Sequence, residues 1–218
     1  MRKVIAAAFV SLDGVMQAPG GPEEDPTGGF KHGGWTVHYW DELMGQSMGD
    51  LFNIPYDLLL GRKTYEIFAA HWPHLKDDPI ADSFNRVTKY VATRSRQPLT
   101  WRNSVALHDA ARDVARLKQE DGRALLTQGS SDLLQTLLRE NLIDELRLLT
   151  FPLVLGCGKK LFGDGTVPKA LNLVSSKVSS TGVTISTYTP AGEIRTGSFQ
   201  LSEPSEAELA RRERMKGE

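Results

Sequence analysis

The feature that most constrains this chain is an alternation. Apolar runs bounded by turn residues recur at 4–10, 57–60, 87–92, 104–107, 124–127, 144–150, 171–178 and 183–189, and helical patterns separate several of them. Over 109–120 (DAARDVARLKQE), Ala110, Val114 and Leu117 fall at i, i+4 and i+7. Over 131–141, Leu133, Leu134, Leu137 and Leu138 mark one helical face, and Asn141 can end it. Strands alternating with helices through residue 150 predict βαβ units. The last third shows no convincing helix before the tail, so antiparallel strands are expected to close the sheet. The expected fold is α/β: a mixed, mostly parallel central sheet flanked by helices, with antiparallel C-terminal strands. One domain over 1–190 is expected, without repeat or linker. Residues 191–218 read as an extension, strand or coil and then a charged helix (EPSEAELARRERMKGE).

The formal net charge is −1, so nothing global draws the chain to nucleic acid or membrane, and any anion must be held locally. Two cations and seven apolar residues open the chain, but they run directly into Ser11-Leu12-Asp13-Gly14, a turn signal. A buried first strand is expected there rather than a signal peptide. No run approaches the ~18 apolar residues of a membrane span. The single cysteine, Cys157, allows no intrachain disulfide and fits a reducing, cytoplasmic setting. The five histidines form no metal-ligand spacing, and no metal is expected.

Charge is concentrated at strand ends. The apolar run before Gly61-Arg62-Lys63-Thr64 leads into a helical stretch, and a strand feeding a helix through a tight turn is the ligand edge of a parallel sheet. Gly61 permits close backbone approach or a positive φ. The amides of Lys63 and Thr64 would open the helix, where unpaired N–H groups and the macrodipole favour an anion. Arg62 offers a planar fork for phosphate and Lys63 a point charge. Alternatively, Thr64 caps the helix and the cations are solvated. Thr93-Arg94-Ser95 closes another strand with a cation between hydroxyls. Gln128-Gly129-Ser130-Ser131 opens the amphipathic helix; Gly129 admits a diphosphate to the amides of Ser130 and Ser131, either of which is also a natural N-cap. Three such ends suggest one extended, multi-phosphate ligand. A dinucleotide with an extra phosphate suits two arginines, although no G-x-G-x-x-G is present.

The order SLDG at 11–14, LLLGRKTYE at 58–66, YVATRS at 90–95, LLTQGSSDLLQTLL at 125–138 and LIDELRLLTFPLVLGCGKKLF at 142–162 resembles the dihydrofolate-reductase-like family. More closely it resembles the branch containing the reductase (C-terminal) domain of bacterial riboflavin biosynthesis, over roughly residues 2–190. The resemblance implies a mixed central sheet, NADPH as hydride donor, a small-molecule substrate and a homodimer. By position it implies Arg62 at the 2′-phosphate and Thr64 at the diphosphate. Thr93, Arg94 and Ser95 would line the adenosine end, Gly129 and Ser130 would cover the diphosphate, and Ala8 would border the nicotinamide. The chain departs from the riboflavin-pathway enzymes at two positions. Ala7 stands where they commonly have a lysine, and Gln128-Gly129-Ser130 where they often show Glu-Gly-Gly.

On the substrate side, residues 17–36 hold six glycines and three prolines, a long loop expected to act as a lid. Trp35, Tyr39 and Trp40 are candidates to stack on a flat heterocycle. Alternatively, Tyr39, Trp40 and Leu43 form the buried face of a helix over 39–51. Asp41 is the candidate catalytic carboxylate and substrate anchor, or else an acid favoured in a first helical turn. The reading is an NADPH-dependent reductase. The alternatives are the riboflavin-pathway 5-amino-6-(5-phosphoribosylamino)uracil reductase and a non-catalytic nucleotide-binding module.

Overall fold

The first strand, β1 (Val4–Ser11), is buried along almost its whole length because helices cover both of its faces. The computed structural model describes residues 1–199 and 203–217. After β1 come α1 (Glu42–Asn53), β2 (Tyr56–Gly61), α2 (Arg62–His71), α3 (Pro79–Arg86), β3 (Lys89–Ala92) and β4 (Ser104–Leu107). Then follow α4 (Ala110–Gln119), β5 (Ala124–Gln128), α5 (Ser131–Arg139), β6 (Glu145–Phe151), β7 (Leu171–Val178), β8 (Thr184–Pro190) and α6 (Glu206–Met215). One eight-stranded sheet runs in the order β4-β3-β2-β5-β1-β6-β8-β7. Its first six strands are parallel, while β8 lies antiparallel to both β6 and β7. This is the mixed sheet expected from the alternation.

The period-2 alternation of β1 sorts its side chains. Val4, Ala6, Ala8 and Val10 pack with α4 and α5 through Val114, Leu117, Leu134 and Leu137. Ile5 and Ala7 face the other layer, with Leu51 of α1, Tyr65 of α2 and Phe84 of α3. Helix α3 was not legible in the sequence. It spans eight residues and starts on Pro79, where a missing N–H costs nothing, with Asp78 capping the amides of Ile80 and Ala81. The helix expected over 39–51 begins instead at Glu42, because Trp40 and Asp41 adopt extended conformations and Asp41 is the N-cap. Tyr39 and Trp40 are therefore not on its buried face.

The glycine-rich loop is packed. Gln17 is buried, and its amide donates to the carbonyls of Asp25 and Thr27, both at 2.9 Å, while accepting from the Lys159 amide at 3.0 Å. Lys159 also pairs with Asp25. A Cβ on Gly158 would lie 2.6 Å from Val15 and 3.0 Å from Phe30, so glycine is needed where the late loop crosses this one. The expected lid is held down at several points. The C-terminal α6 carries no buried residue. Among the described residues no helix is long and apolar enough to cross a membrane.

Candidate functional site

Sheet order decides which strand ends meet. β2 lies between β3 and β5, so the turns after Ala92, Gly61 and Gln128 stand side by side at the carboxyl edge. β1 pairs with β5 only as far as Ala7, but with β6 through Ser11. From Ala8 onward β1 no longer pairs with β5, which leaves the end of β5 and the β5–α5 turn at the carboxyl edge of the sheet, where folds of this kind place ligands. α1, α2 and α3 lie on one face of the sheet, α4 and α5 on the other.

The β2–α2 and β5–α5 turns are joined directly. Ser130 Oγ accepts from the Gly61 amide at 2.9 Å and donates to Thr64 Oγ1 at 2.7 Å. Gly61 has φ −74°, so the positive φ allowed for it is not used. It is required by close approach: a Cβ would sit 3.1 Å from Ser130 Cβ and Oγ. Gly129 and Ser130 are both left-handed, at φ 71° and 64°. For a serine this conformation costs about 1–2 kcal/mol, which two hydrogen bonds of about 1 kcal/mol each can offset.

The consequence concerns helix capping. Ser130 occupies the N-cap position of α5 but spends its hydroxyl on the neighbouring turn, and Gly61 at the head of α2 has no side chain, so neither helix is side-chain capped. The other four α-helices are all capped, by Asp41, Asp78, Asp109 and Ser205. Thr64 is not a cap. The two helix starts that converge are the two whose first amides are left for another acceptor.

Cations stand beside them. Arg62 pairs with Glu66 at 2.6 Å and donates to the Gln97 carbonyl at 3.0 Å, so it is held in place rather than simply solvated. Gln97, which sequence reasoning missed, ties this turn to the one after β3. There Thr93 Oγ1 accepts from the Ser95 amide, and Ser95 Oγ from the Gln97 amide, at 3.0 and 3.1 Å. Arg94 and Lys63 are exposed and make no hydrogen bond or ion pair among the described residues.

The substrate-side residues separate. Trp35 is a core residue: it is buried, its ring packs edge-on to Phe151 at 5.1 Å, and its Nε1 donates to the Gln17 carbonyl. Tyr39 packs against Phe151 as well, at 5.7 Å. Trp35 is thus a ring of the core, and Tyr39 a half-buried one packed against the same cluster. Trp40 is 48% exposed and stands edge-on to Phe9 of β1 at 6.2 Å. Asp41 is the N-cap of α1. Its Oδ1 accepts from the Met44 amide, and its Oδ2 from the amide and hydroxyl of Ser180. The Met44 amide and then the Ser180 hydroxyl hold its carboxyl below the usual range. Asp13 is likewise structural. It accepts from Ser11 Oγ and from the amides of Leu155 and Gly156, and these bonds lower its pKa to about 2.

Among the described residues, two sealed polar side-chain atoms have no partner: Thr127 Oγ1 and Gln128 Nε2. They belong to the last two residues of β5 and point to opposite faces of the sheet. An unmade buried donor costs about 1–3 kcal/mol. A groove of about 490 Å³, lined by residues such as His74, Asn85 and Trp101, lies at the opposite edge.

Fold and site define a dihydrofolate-reductase-like α/β protein. The chain belongs to the RibD C-terminal domain family, which matches residues 2–185. It is 26% identical over 186 residues to the uncharacterized protein YyaP of Bacillus subtilis, covering 84% of this chain and 92% of that one. A putative riboflavin biosynthesis protein from Shewanella sp. PV-4 superposes with a TM-score of 0.55 at 22% identity, covering 86% and 98%. Dihydrofolate reductase from Enterococcus faecalis, complexed with NADP(H), does so with a TM-score of 0.55 at 15% identity, covering 87% and 96%.

Proposed function

We propose that this protein is an NADPH-dependent reductase that transfers a hydride to a small, flat, heterocyclic substrate. The observation that carries the reading is the convergence of two uncapped helix starts beside Arg62 and the strand end bearing Arg94. Support comes from the E. faecalis enzyme, which shares the fold and is complexed with NADP(H). Arg62 and Arg94 would take the 2′-phosphate, with Lys63 adding charge. The first amides of α2 and α5, at Lys63, Thr64 and Ser131, would take the diphosphate, with Gly61 and Gly129 admitting it and Ser130 bracing both turns. Thr93 and Ser95 would border the adenosine, and Ala8 the nicotinamide. The cofactor supplies the hydride. The chain's share is to place the acceptor against it and exclude water.

Titrating NADPH and NADH by fluorescence tests this. NADPH is expected to bind at least tenfold tighter, about 1.4 kcal/mol. Equal affinities would remove Arg62 and Arg94 from the site. Binding without NADPH oxidation by any heterocycle would favour a nucleotide-binding module. Dihydrofolate is expected to be reduced weakly or not at all, since Asp41 is committed to its cap and to Ser180. The riboflavin-pathway uracil reductase is the second reading, favoured by family membership.

We further propose a homodimer, a reductase domain over 1–190 with 191–218 as an extension, and a cytoplasmic setting. The apolar run of β6, a natural candidate for such a contact, is buried inside the sheet. Edge strand β7 takes its place: all eight residues are exposed, Leu173 at 58% and Val178 at 66%. Sedimentation as a monomer at micromolar concentration would count against the dimer.

A further inference from the structure

We propose that the groove at the amino edge, beside β3 and β4, is a second anion site that takes the phosphate group of a small organic phosphate. Its walls come from the turn after α2 (Pro73 and His74), the end of α3 (Asn85) and the residues just before β4 (Thr100, Trp101 and Arg102). At about 490 Å³ it has the size of a small-molecule site. It stands at the end of the sheet away from β7, so a dimer formed through β7 leaves it open.

The donors on its walls are positioned but unspent. Arg102 Nε donates to the Asn85 carbonyl at 2.9 Å, which fixes the plane of the guanidinium. Its Nη1 and Nη2 make no hydrogen bond or ion pair among the described residues, and neither do the His74 ring and the Thr100 hydroxyl. Asn85 holds the frame. Its Oδ1 accepts from Trp101 Nε1 at 2.7 Å and its Nδ2 donates to the Trp72 carbonyl at 3.4 Å, so one residue ties the wall after α2 to the wall before β4. Behind the groove, the same Asn85 carbonyl accepts from the buried Lys89 ammonium, which lies 4.4 Å from the Trp101 ring centre. None of the residues lining the groove is acidic, so the field inside it is positive. Satisfying the carbonyl end of α3 needs only the Nε of Arg102, and the rest of the fork is left for an anion. A planar fork, an imidazole and a hydroxyl offer more donors than the two oxygens of a carboxylate can use. A phosphate monoester brings three oxygens and more charge. Ala69 and Pro73 give its organic part an apolar contact.

The test titrates phenyl phosphate, and separately benzoate, into the full chain labelled with ¹⁵N and reads each residue by NMR. Phenyl phosphate is expected to shift the Trp101 indole N–H and the amides of His74 and Arg102 saturably, and to bind about tenfold tighter than benzoate. Arg102→Gln, which removes the fork, and His74→Ala are each expected to weaken that binding about fivefold or more while leaving the rest of the spectrum unchanged. Both residues are exposed, so either variant serves if the other fails to fold. Shifts confined to residues 61–64, 93–95 and 129–131 would place the phosphate at the cofactor edge alone and overturn the proposal. Equal affinity for benzoate, or undiminished binding in a folded variant, would overturn it as well.

Discussion

At the amino edge of the sheet, the Arg2 guanidinium donates to Asp57 at 2.5 Å, to the Arg123 carbonyl at 2.7 Å and to the Tyr90 hydroxyl at 3.2 Å. Nearby, the buried Lys89 ammonium donates to the carbonyls of Asn85 and Val87 and lies 4.4 Å from the Trp101 ring centre. At the carboxyl edge the arrangement is reversed. Two helices start uncapped, a serine adopts a left-handed conformation, and Gln128 Nε2 goes without a partner. One edge satisfies its buried polar groups internally. The other leaves donors that a ligand can fill. Groups satisfied within the fold carry stability, and groups left unsatisfied at a strand edge carry binding.

Substitutions can break this contrast. The largest effect is expected from Asp57→Ala, which strands a buried guanidinium and should cost about 3–5 kcal/mol. Urea unfolding measures it, with NADPH affinity unchanged under native conditions; a loss below about 1 kcal/mol would refute the structural role. Lys89 comes next. Burial lowers its pKa from 10.5 to about 8, so between those values the unfolded chain keeps a proton that the folded one has released. Wild-type stability should therefore rise from pH 8 to 10.5, by at most about 3 kcal/mol at ~1.4 kcal/mol per unit. Lys89→Met should lack this rise. A parallel pH dependence in the two proteins would count against it.

The smallest effects, a matched pair at helix starts, sharpen the contrast most. Asp78→Ala removes a cap and should cost about 1 kcal/mol of stability with no change in NADPH affinity. Thr64→Val, at an uncapped start, should weaken NADPH about tenfold, or ~1.4 kcal/mol, and cost about 1 kcal/mol of stability through the lost Ser130 hydrogen bond. Calorimetry and cofactor titration on both variants separate the outcomes. Equal behaviour of the two would erase the distinction between the helix starts.

All eight strands were legible as apolar runs bounded by turn residues, a signal local in sequence, and the central ones, buried on both faces, gave the most continuous runs. The helices at 110–119 and 131–139 were legible from their apolar spacing. Helix α3 was not, being short and opened by a proline. The Gly-Arg-Lys-Thr and Gly-Ser-Ser turns announced themselves through glycine and charge at strand ends. Their junction through Ser130, 69 residues from Gly61, did not. The substrate side was read least well. An aromatic near a loop looks the same in sequence whether it packs on Phe151, as Trp35 and Tyr39 do, or stands exposed, as Trp40 does.

The sequence by itself determined the parallel α/β layering and which strand ends gather glycine, cations and hydroxyls, because periodicity and turn chemistry act over a few residues. Only the tertiary structure decided that β2 lies beside β5, that Ser130 leaves its own helix uncapped, that Asp41 is spent on Ser180, and that Ala7 faces Gln128. Those outcomes depend on strand order and register, which are set by packing between residues distant in the chain and leave no local trace.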